Sequence, residues 1–324
     1  MPVYNGERFL GESMRSMLSQ TYRDWELVAI DDGSTDRSWD VLSGFQKEPR
    51  VRTIRSEQNR GAAQARNLGV ETSDCEYLAF LDADDLAKPH RLERQVRWLD
   101  RLNQFSVVSS RANFLYEGTE TKVLSRRLPP DHVPAVLLFK NCIVHSSVLL
   151  RRSCWQPFRS EFEPAEDYDL WVRLARNASF SILNESLVTY RVHEAGISNR
   201  LPARMNEAVR AIHRWQLEQL GIEPREEIHG RVSAWPADAT ESELMAAEDW
   251  LRQLLTVSRF YESNSLQSVL ERIWLNICLD SWRLGPRAFH IYRRSNLARM
   301  TPGGLWQFFR RFGRRALGSG HLIP

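Results

Sequence analysis

The stretch YLAFLDADDLAKP (77–89) sets an apolar run against three carboxylates within four positions, Asp82, Asp84 and Asp85. Like charges this close repel and raise one another's pKa, so the pattern calls for something positive. Alternate carboxylates at a strand end can grip a hard divalent cation through oxygen, and Mg²⁺ keeps only one or two of them while taking its other ligands from water and phosphates. On these residues alone, a strand end with solvated acids capping the next helix is the more common arrangement.

Working outward, WELVAIDD (25–32) is a second apolar run that ends in acid. Around these two runs, strand-like and helix-like segments alternate. Residues 6–20 carry Leu10, Met14, Met17 and Leu18 at helical spacing, residues 35–46, 61–72 and 89–102 also read as helices, and VRTIRS (51–56) as a strand. Further strands are expected from FSVVSS through Tyr116, over 145–151 and over 180–192, with a helix at 166–177. This alternation predicts an open, mostly parallel sheet, with ligands at the carboxyl ends of its strands. Both acidic clusters fall at such ends, which points to a shared site.

In IDDGSTD (30–36), Gly33 permits a tight turn, and Ser34 or Thr35 can cap the next helix. Asp31 and Asp32 can accept from ribose hydroxyls or a base N–H; a plain turn is the other reading. In PAEDYDLW (164–171), Glu166 and Asp167 open a helix whose dipole favours their ionised form. An ionised carboxylate aimed into a cleft can act as a general base, although acids at a helix start are commonplace. His193, at the end of TYRVH, reads as a ligand or as a satisfied polar residue.

The 324 residues carry a net charge of +3, which demands no polyanionic partner. Cys75, Cys142, Cys154 and Cys278 are scattered without a CxxC pair, so idle thiols in a reducing cytosol are expected rather than disulfides or zinc. No apolar run reaches the length that spans a bilayer, and no signal peptide opens the chain. From about residue 203 the pattern becomes helical, with amphipathic stretches at 241–261 and 265–284. From Arg283 onward there are nine arginines and no Asp or Glu, and LWQFFRRFGRRAL (305–317) interleaves large apolar with basic residues. That tail suits an anionic membrane surface, or a helical subdomain with solvated arginines.

The order of these segments adds to each of them. PVYNGERFL, VAIDDGSTD, NRGAAQARNLGV, YLAFLDADD, IVHSSVLLRR, AEDYDLWVRLA and YRVH, in register over roughly residues 1–200, resemble a family 2 glycosyltransferase of the inverting, bacterial cell-surface glycan type. The resemblance implies a GT-A fold, α/β and Rossmann-like with a mostly parallel sheet and flanking helices, over 1–202, followed by a mainly helical region over 203–324. It implies transfer of a sugar from a nucleotide-diphosphate donor, by family habit a UDP-sugar, to a hydroxyl of a glycan or lipid-linked acceptor, with inversion. Tyr4, Asp32, Arg66 and Asp82 would face the nucleotide, Arg66 alternatively serving structure. Asp84 would ligate Mg²⁺ or Mn²⁺ at the diphosphate, with His193 as a further metal or diphosphate contact. Asp167 would be the catalytic base and Glu166 would position the acceptor. The implied location is cytoplasmic, with a peripheral membrane contact through 305–317 and no nucleic-acid partner.

One departure stands out. The family's chain normally begins with an apolar strand just before P-x-Y-N, whereas here PVYN follows Met1 at once. The expectation is therefore a missing central strand, from a start placed too far downstream or from a degenerate copy. The departure keeps open a catalytically silent binding or scaffold protein; a nucleotidyltransferase of related architecture is disfavoured by the ED pair and YRVH.

Overall fold

The computed structural model describes residues 1–122, 128–196, 200–261 and 264–299. Its first part alternates as expected: β1 (Pro2–Val3), α1 (Glu7–Leu18), β2 (Leu27–Asp31), α2 (Ser38–Ser43), β3 (Val51–Arg55), α3 (Ala62–Glu71), β4 (Tyr77–Ala79), β5 (Leu86–Ala87), α4 (Arg91–Arg101), β6 (Val107–Tyr116), β7 (Thr119–Lys122), α5 (Val133–Leu137), β8 (Leu149–Arg151), α6 (Glu166–Leu174) and β9 (Phe180–Val192). The periodicities explain the choices. Leu10, Met14 and Met17 recur on one face of α1 and are buried there. All five residues of β2 are buried, so that strand reads as a continuous apolar run rather than an alternation.

β1, β2 and β3 form a parallel sheet in that order, with Pro2 opposite Ile30 and Leu27 opposite Val51. A second sheet has the order β4-β8-β6-β9-β5, with β7 added to β6. Its pairings are mixed. Only β6 and β9 run parallel, joined by a long connection that contains α6; β4–β8, β6–β8, β5–β9 and β6–β7 are antiparallel. The physical reason is connection length. A tight turn such as Glu117–Gly118 between β6 and β7 reverses the chain, whereas parallel neighbours need a crossover. The mostly parallel expectation thus describes the first sheet, and the second departs from it.

A two-residue strand lies within PVYN itself. Pro2–Val3 pairs with β2, Ile30 N–H donates to Met1 O at 2.9 Å, and the Met1 ammonium donates to Val28 O at 2.9 Å. β1 is an edge of its sheet among the described residues. The core of this part gathers Leu10, Met14, Ala29, Leu42, Leu81, Leu92, Leu99, Val108 and Leu149.

Several boundaries differ from the sequence reading. Residues 145–147 form a 3-10 turn ahead of β8, not part of a strand. Neither Ser34 nor Thr35 caps α2: Ser34 Oγ accepts from Asn5 N–H (3.0 Å), and Thr35 N–H donates to Asn5 Oδ1 (2.8 Å). Arg37 stands at the N-cap without a side-chain cap bond, and Asp36 before it accepts from Ser38 N–H (2.9 Å) and from Glu7 N–H at the start of α1 (3.0 Å).

The chain divides into two compact units, Met1–Val133 with Asn141–Ile212, and Pro134–Lys140 with His213–Pro324. The sequence reading placed the division at 202/203 and kept 134–140 on its N-terminal side. The second unit is helical, with Glu226–Ser233, Glu241–Leu254, Ser265–Asp280 and Pro286–Arg294 following the helix Pro202–Gln219 that leads into it. Ala135, Leu138 and Phe139 lie in its core with Trp250, Trp274 and Leu251. A thread of polar bonds runs through that core: Trp250 Nε1 donates to His229 Nδ1 (3.1 Å), and His229 Nε2 donates to Leu138 O (2.9 Å). No helix among the described residues is long and apolar enough to cross a membrane. The stretch 305–317 lies outside the described residues.

Gly33 has φ +72°, and a Cβ there would lie 2.7 Å from the Gln58 carbonyl carbon, a backbone atom that cannot swing away. Gly33→Ala is expected to cost about 1–3 kcal/mol, read as a lower midpoint in calorimetric unfolding; an unchanged midpoint would refute the tight approach of the two loops.

Candidate active site

Five segments meet beyond β4. The first is DADD. Asp82 N–H donates to Ser146 Oγ (3.0 Å), and Ser13 Oγ donates to Asp82 O (3.3 Å). Behind it the buried Arg91 donates from Nη2 to Phe80 O (2.8 Å) and Val148 O (3.0 Å), so α4 clamps the approach to DADD against the 145–148 segment. Gln95, one turn on, donates to Ser147 O at 2.6 Å.

The second segment is ARN on α3. The Arg66 guanidinium donates to Asp82 Oδ1 (2.8 Å) through Nη2 and to Glu166 Oε1 through Nη1, and its carbon lies 5.4 Å from the Phe158 ring centre. Next to it, Asn67 exchanges two hydrogen bonds with the Phe158 backbone, at 2.9 and 2.8 Å. Arg66 therefore ties DADD to the ED pair. Burial works against its charge, but the Asp82 and Glu166 carboxylates outweigh that and raise its pKa. The exchange is mutual: burial pushes Asp82 up, yet Arg66 and then His145 hold it down at about 2, so Asp82 is a firm anion.

The third segment is the start of α6. Glu166 is buried in the Arg66 pair. Asp167, one position on, is only partly buried; its Oδ1 accepts from Tyr168 N–H (2.6 Å) and its Oδ2 from Asn141 Nδ2 (3.0 Å). Burial, then the Glu166 charge, push Asp167 up to about 7 against the opposing Arg66. Of two adjacent carboxylates on one helix, Glu166 is thus enclosed with Arg66 while Asp167 is held by neutral donors.

The fourth segment is YRVH. Arg191 N–H donates to Asp85 Oδ1 and its Nε to Asp84 O, both at 2.9 Å, while Nη2 reaches Glu12 at 2.7 Å. His193 Nε2 lies 2.8 Å from Asp84 Oδ2. Burial first and Asp82 second raise the Asp84 pKa, against the His193 contact; Asp85 is raised well above the usual range by burial, Asp84 and Asp82. Asp85 Oδ2 is buried with no hydrogen-bond partner. The cluster is thus short of positive charge. Among the described residues no three His, Cys, Asp or Glu side chains gather as a metal cage. Asp84 is an oxygen donor of the kind Mg²⁺ or Mn²⁺ takes alongside phosphate and water, and the His193 nitrogen lies within hydrogen-bond distance of it.

The fifth is HSS. His145 is buried against Phe80 and Trp171, with ring centres 5.1 and 5.9 Å away, and its Nε2 is 3.9 Å from Asp82 Oδ1. Burial and Arg66 lower its pKa to about 3, so it stays neutral.

Asp32 sits beside this network. Its carboxylate accepts from Arg60 N–H (3.0 Å) and Gly61 N–H (2.8 Å), fixing the loop before α3. Gly61 has φ +97°, and a Cβ there would fall 2.5 Å from Glu163 Oε2; Glu163 in turn accepts from Ala63 N–H in the first turn of α3 (2.7 Å). Tyr4 is 50% exposed, outside the network. The structure therefore gathers Arg66, Asp82, Glu166 and Asp167, and pairs Asp84 with His193. Arg91, Asn141, His145 and Glu163 escaped the sequence reading as individuals. His145 was within reach, since IVHSSVLLRR is one of the ordered motifs; the others carry no local pattern.

A family model described as Glycosyl transferase family 2 matches residues 1–153. The chain is 30% identical over 206 residues, 61% of its length and 78% of the relative's, to the Escherichia coli UDP-Glc:alpha-D-GlcNAc-diphosphoundecaprenol beta-1,3-glucosyltransferase WfgD. It is 29% identical over 206 residues, 61% of its length and 79% of the relative's, to the putative teichuronic acid biosynthesis glycosyltransferase TuaG of Bacillus subtilis. The crystal structure of residues 1–349 of S. aureus TarS in complex with UDP-GlcNAc superposes with a TM-score of 0.55 at 16% identity, over 100% of this chain and 92% of that one. The architecture is the GT-A fold with a helical C-terminal region, as the resemblance implies.

Replacing Arg66 by Met would leave Asp82 and the buried Glu166 without their counter-charge. The expected loss is about 3–5 kcal/mol of stability, measured by denaturant unfolding. A loss under about 1 kcal/mol would mean that the pair behaves as a solvent-screened surface bridge.

Proposed function

The chain belongs to glycosyltransferase family 2, and from that premise we propose that it transfers a sugar from a UDP-sugar donor to a hydroxyl of a glycan or lipid-linked acceptor, with inversion at the anomeric carbon. The observation that carries the reading is Asp167. It is a carboxylate at a helix start, held at both oxygens, one position from the Arg66 pair, and pushed up to about 7. A base with a pKa near the working pH combines the correct protonation state with proton-transfer driving force.

In this mechanism an Asp167 oxygen accepts the proton of the acceptor hydroxyl as that oxygen bonds to the anomeric carbon. The bond from that carbon to the donor's phosphate oxygen breaks on the opposite face, and its electron pair leaves with the nucleoside diphosphate. Asp82, held ionised by Arg66, accepts from a ribose hydroxyl. Asp32 fixes the 60–61 loop and keeps lone-pair capacity for the nucleotide, with Tyr4 at the base. Glu166 acts through Arg66, setting the direction in which Asp167 leaves the helix. Asp84 and His193 would hold Mg²⁺ or Mn²⁺, which when bound offsets the charge that develops on the leaving diphosphate.

The choice of UDP is supported by WfgD, whose name specifies UDP-Glc, and by the UDP-GlcNAc in the TarS complex. A diphosphoundecaprenol acceptor in the name of WfgD supports the lipid-linked class. Such an acceptor would bring the chain to the inner face of the membrane, where 305–317 would make a peripheral contact.

Three tests follow, the first two using the UDP-sugar found by screening with the full chain. Asp167→Asn is expected to lower kcat by about 10²–10⁴-fold while UDP binding, measured by calorimetry, persists; full activity in the variant refutes the base assignment. Because the base must be deprotonated, wild-type kcat should be high above pH 7 and fall as pH drops through about 7, rather than near 4, where an ordinary Asp titrates. Asp84→Ala should abolish the Mn²⁺-dependent part of UDP binding; binding equal with and without Mn²⁺ in the wild type removes the metal from the proposal.

A further inference from the structure

Asp167 is oriented by a residue outside every motif of the sequence reading. Asn141 enters the first unit directly after 134–140 and stands 26 positions before Asp167. Both halves of its amide are engaged. Oδ1 accepts from Ile143 N–H at 3.0 Å, and Nδ2 donates to Asp167 Oδ2 at 3.0 Å. The O and N positions are settled by chemistry, because the backbone N–H needs an acceptor and the carboxylate needs a donor. The other Asp167 oxygen, Oδ1, is taken by Tyr168 N–H at 2.6 Å. With a donor on each oxygen, the carboxylate has one rotation and presents one remaining lone-pair edge.

We propose that Asn141 is a positioning residue for the catalytic base, locked by Ile143 N–H so that its Nδ2 holds Asp167 Oδ2 and fixes the edge of the carboxylate offered to the acceptor hydroxyl. The inference rests on the reading of Asp167 as the base. The charges that face Asp167 are Glu166 and Asp82, which oppose its ionisation, and Arg66, which favours it. Asn141 adds a neutral donor that favours the ionised form. It therefore holds the base at a usable protonation state against the Glu166 charge as well as aiming it.

The test is a titration that needs no substrate. The full chain is labelled with carboxyl ¹³C at aspartate, and the Asp167 signal is assigned by its disappearance in Asp167→Asn. Asn141→Ala, a change at an exposed position, should move the Asp167 midpoint up by about one unit. Asn141→Asp keeps the shape and the acceptor for Ile143 N–H but sets a second carboxylate against Asp167, so its midpoint should rise further. In turnover with the UDP-sugar found by screening, Asn141→Ala should lower kcat about tenfold with donor KM unchanged, and shift the acid limb in step with the titration. An Asp167 midpoint unmoved in both Asn141 variants overturns the proposal. A midpoint that moves while Asp167→Asn stays fully active leaves the Asn141 contact in place and refutes the base reading instead, so the two failures are separable.

Discussion

The buried guanidinium of Arg66 holds two acidic motifs that cannot share a space without it. Asp82 follows β4 and Glu166 opens α6, 16 and 100 residues away from Arg66. Left alone, Asp82 would be driven toward its neutral form by burial. With the cation between them, Asp82 stays ionised at about 2. The position of α3 then becomes the constraint on the site, because α3 carries the guanidinium. That position is fixed at the helix start: Asp32 grips the Arg60 and Gly61 N–H groups, Glu163 grips Ala63 N–H, and Gly61 takes a φ of +97° that side-chain-bearing residues rarely adopt.

The division of labour between Glu166 and Asp167 follows from this. Consecutive helical residues point about 100° apart. Once Glu166 is drawn to Arg66, Asp167 must face elsewhere, toward Asn141 and solvent. Its raised pKa is partly a product of the neighbour that was neutralised only locally, since Glu166 still repels the second carboxylate. The DADD cluster shows the same economy. Asp82 is matched by Arg66, Asp84 is hydrogen-bonded to His193, and Asp85 is tied to the Arg191 backbone and keeps one oxygen unsatisfied. The positive charge that this stretch calls for is therefore supplied in part by Arg66.

The helical unit is organised by different means. Its core is apolar and rich in tryptophan, and a polar thread, Trp250 to His229 to Leu138, ties the segment 134–140 into helices more than 90 residues later in the chain. Nothing in VPAVLLFK announces that allegiance, because a short apolar helix is equally suited to any core that presents a matching face.

The sequence by itself determined the elements and their order. Helical spacing in 6–20, the continuous apolar runs of 25–32 and 76–82, and the ordered motifs were enough for the α/β class, the GT-A architecture and the family, since these signals act over a few residues or survive as a linear pattern. It also placed the carboxylates at strand ends, where an open sheet binds ligands. The tertiary structure alone decided what each charge does. Arg66 is enclosed by two carboxylates; Ser34 and Thr35 are engaged by Asn5 while Asp36 accepts from Ser38 N–H; Asn141, Glu163 and Arg91 have no local signature, and the partners that give them their place in the site, Asp167, Ala63 and Phe80, lie 26, 100 and 11 residues away. The mixed pairing of the second sheet belongs to the same class. Periodicity reports which face of a segment is buried, whereas a hydrogen-bond partner, a strand direction or a perturbed pKa depends on which distant segment arrives at that face.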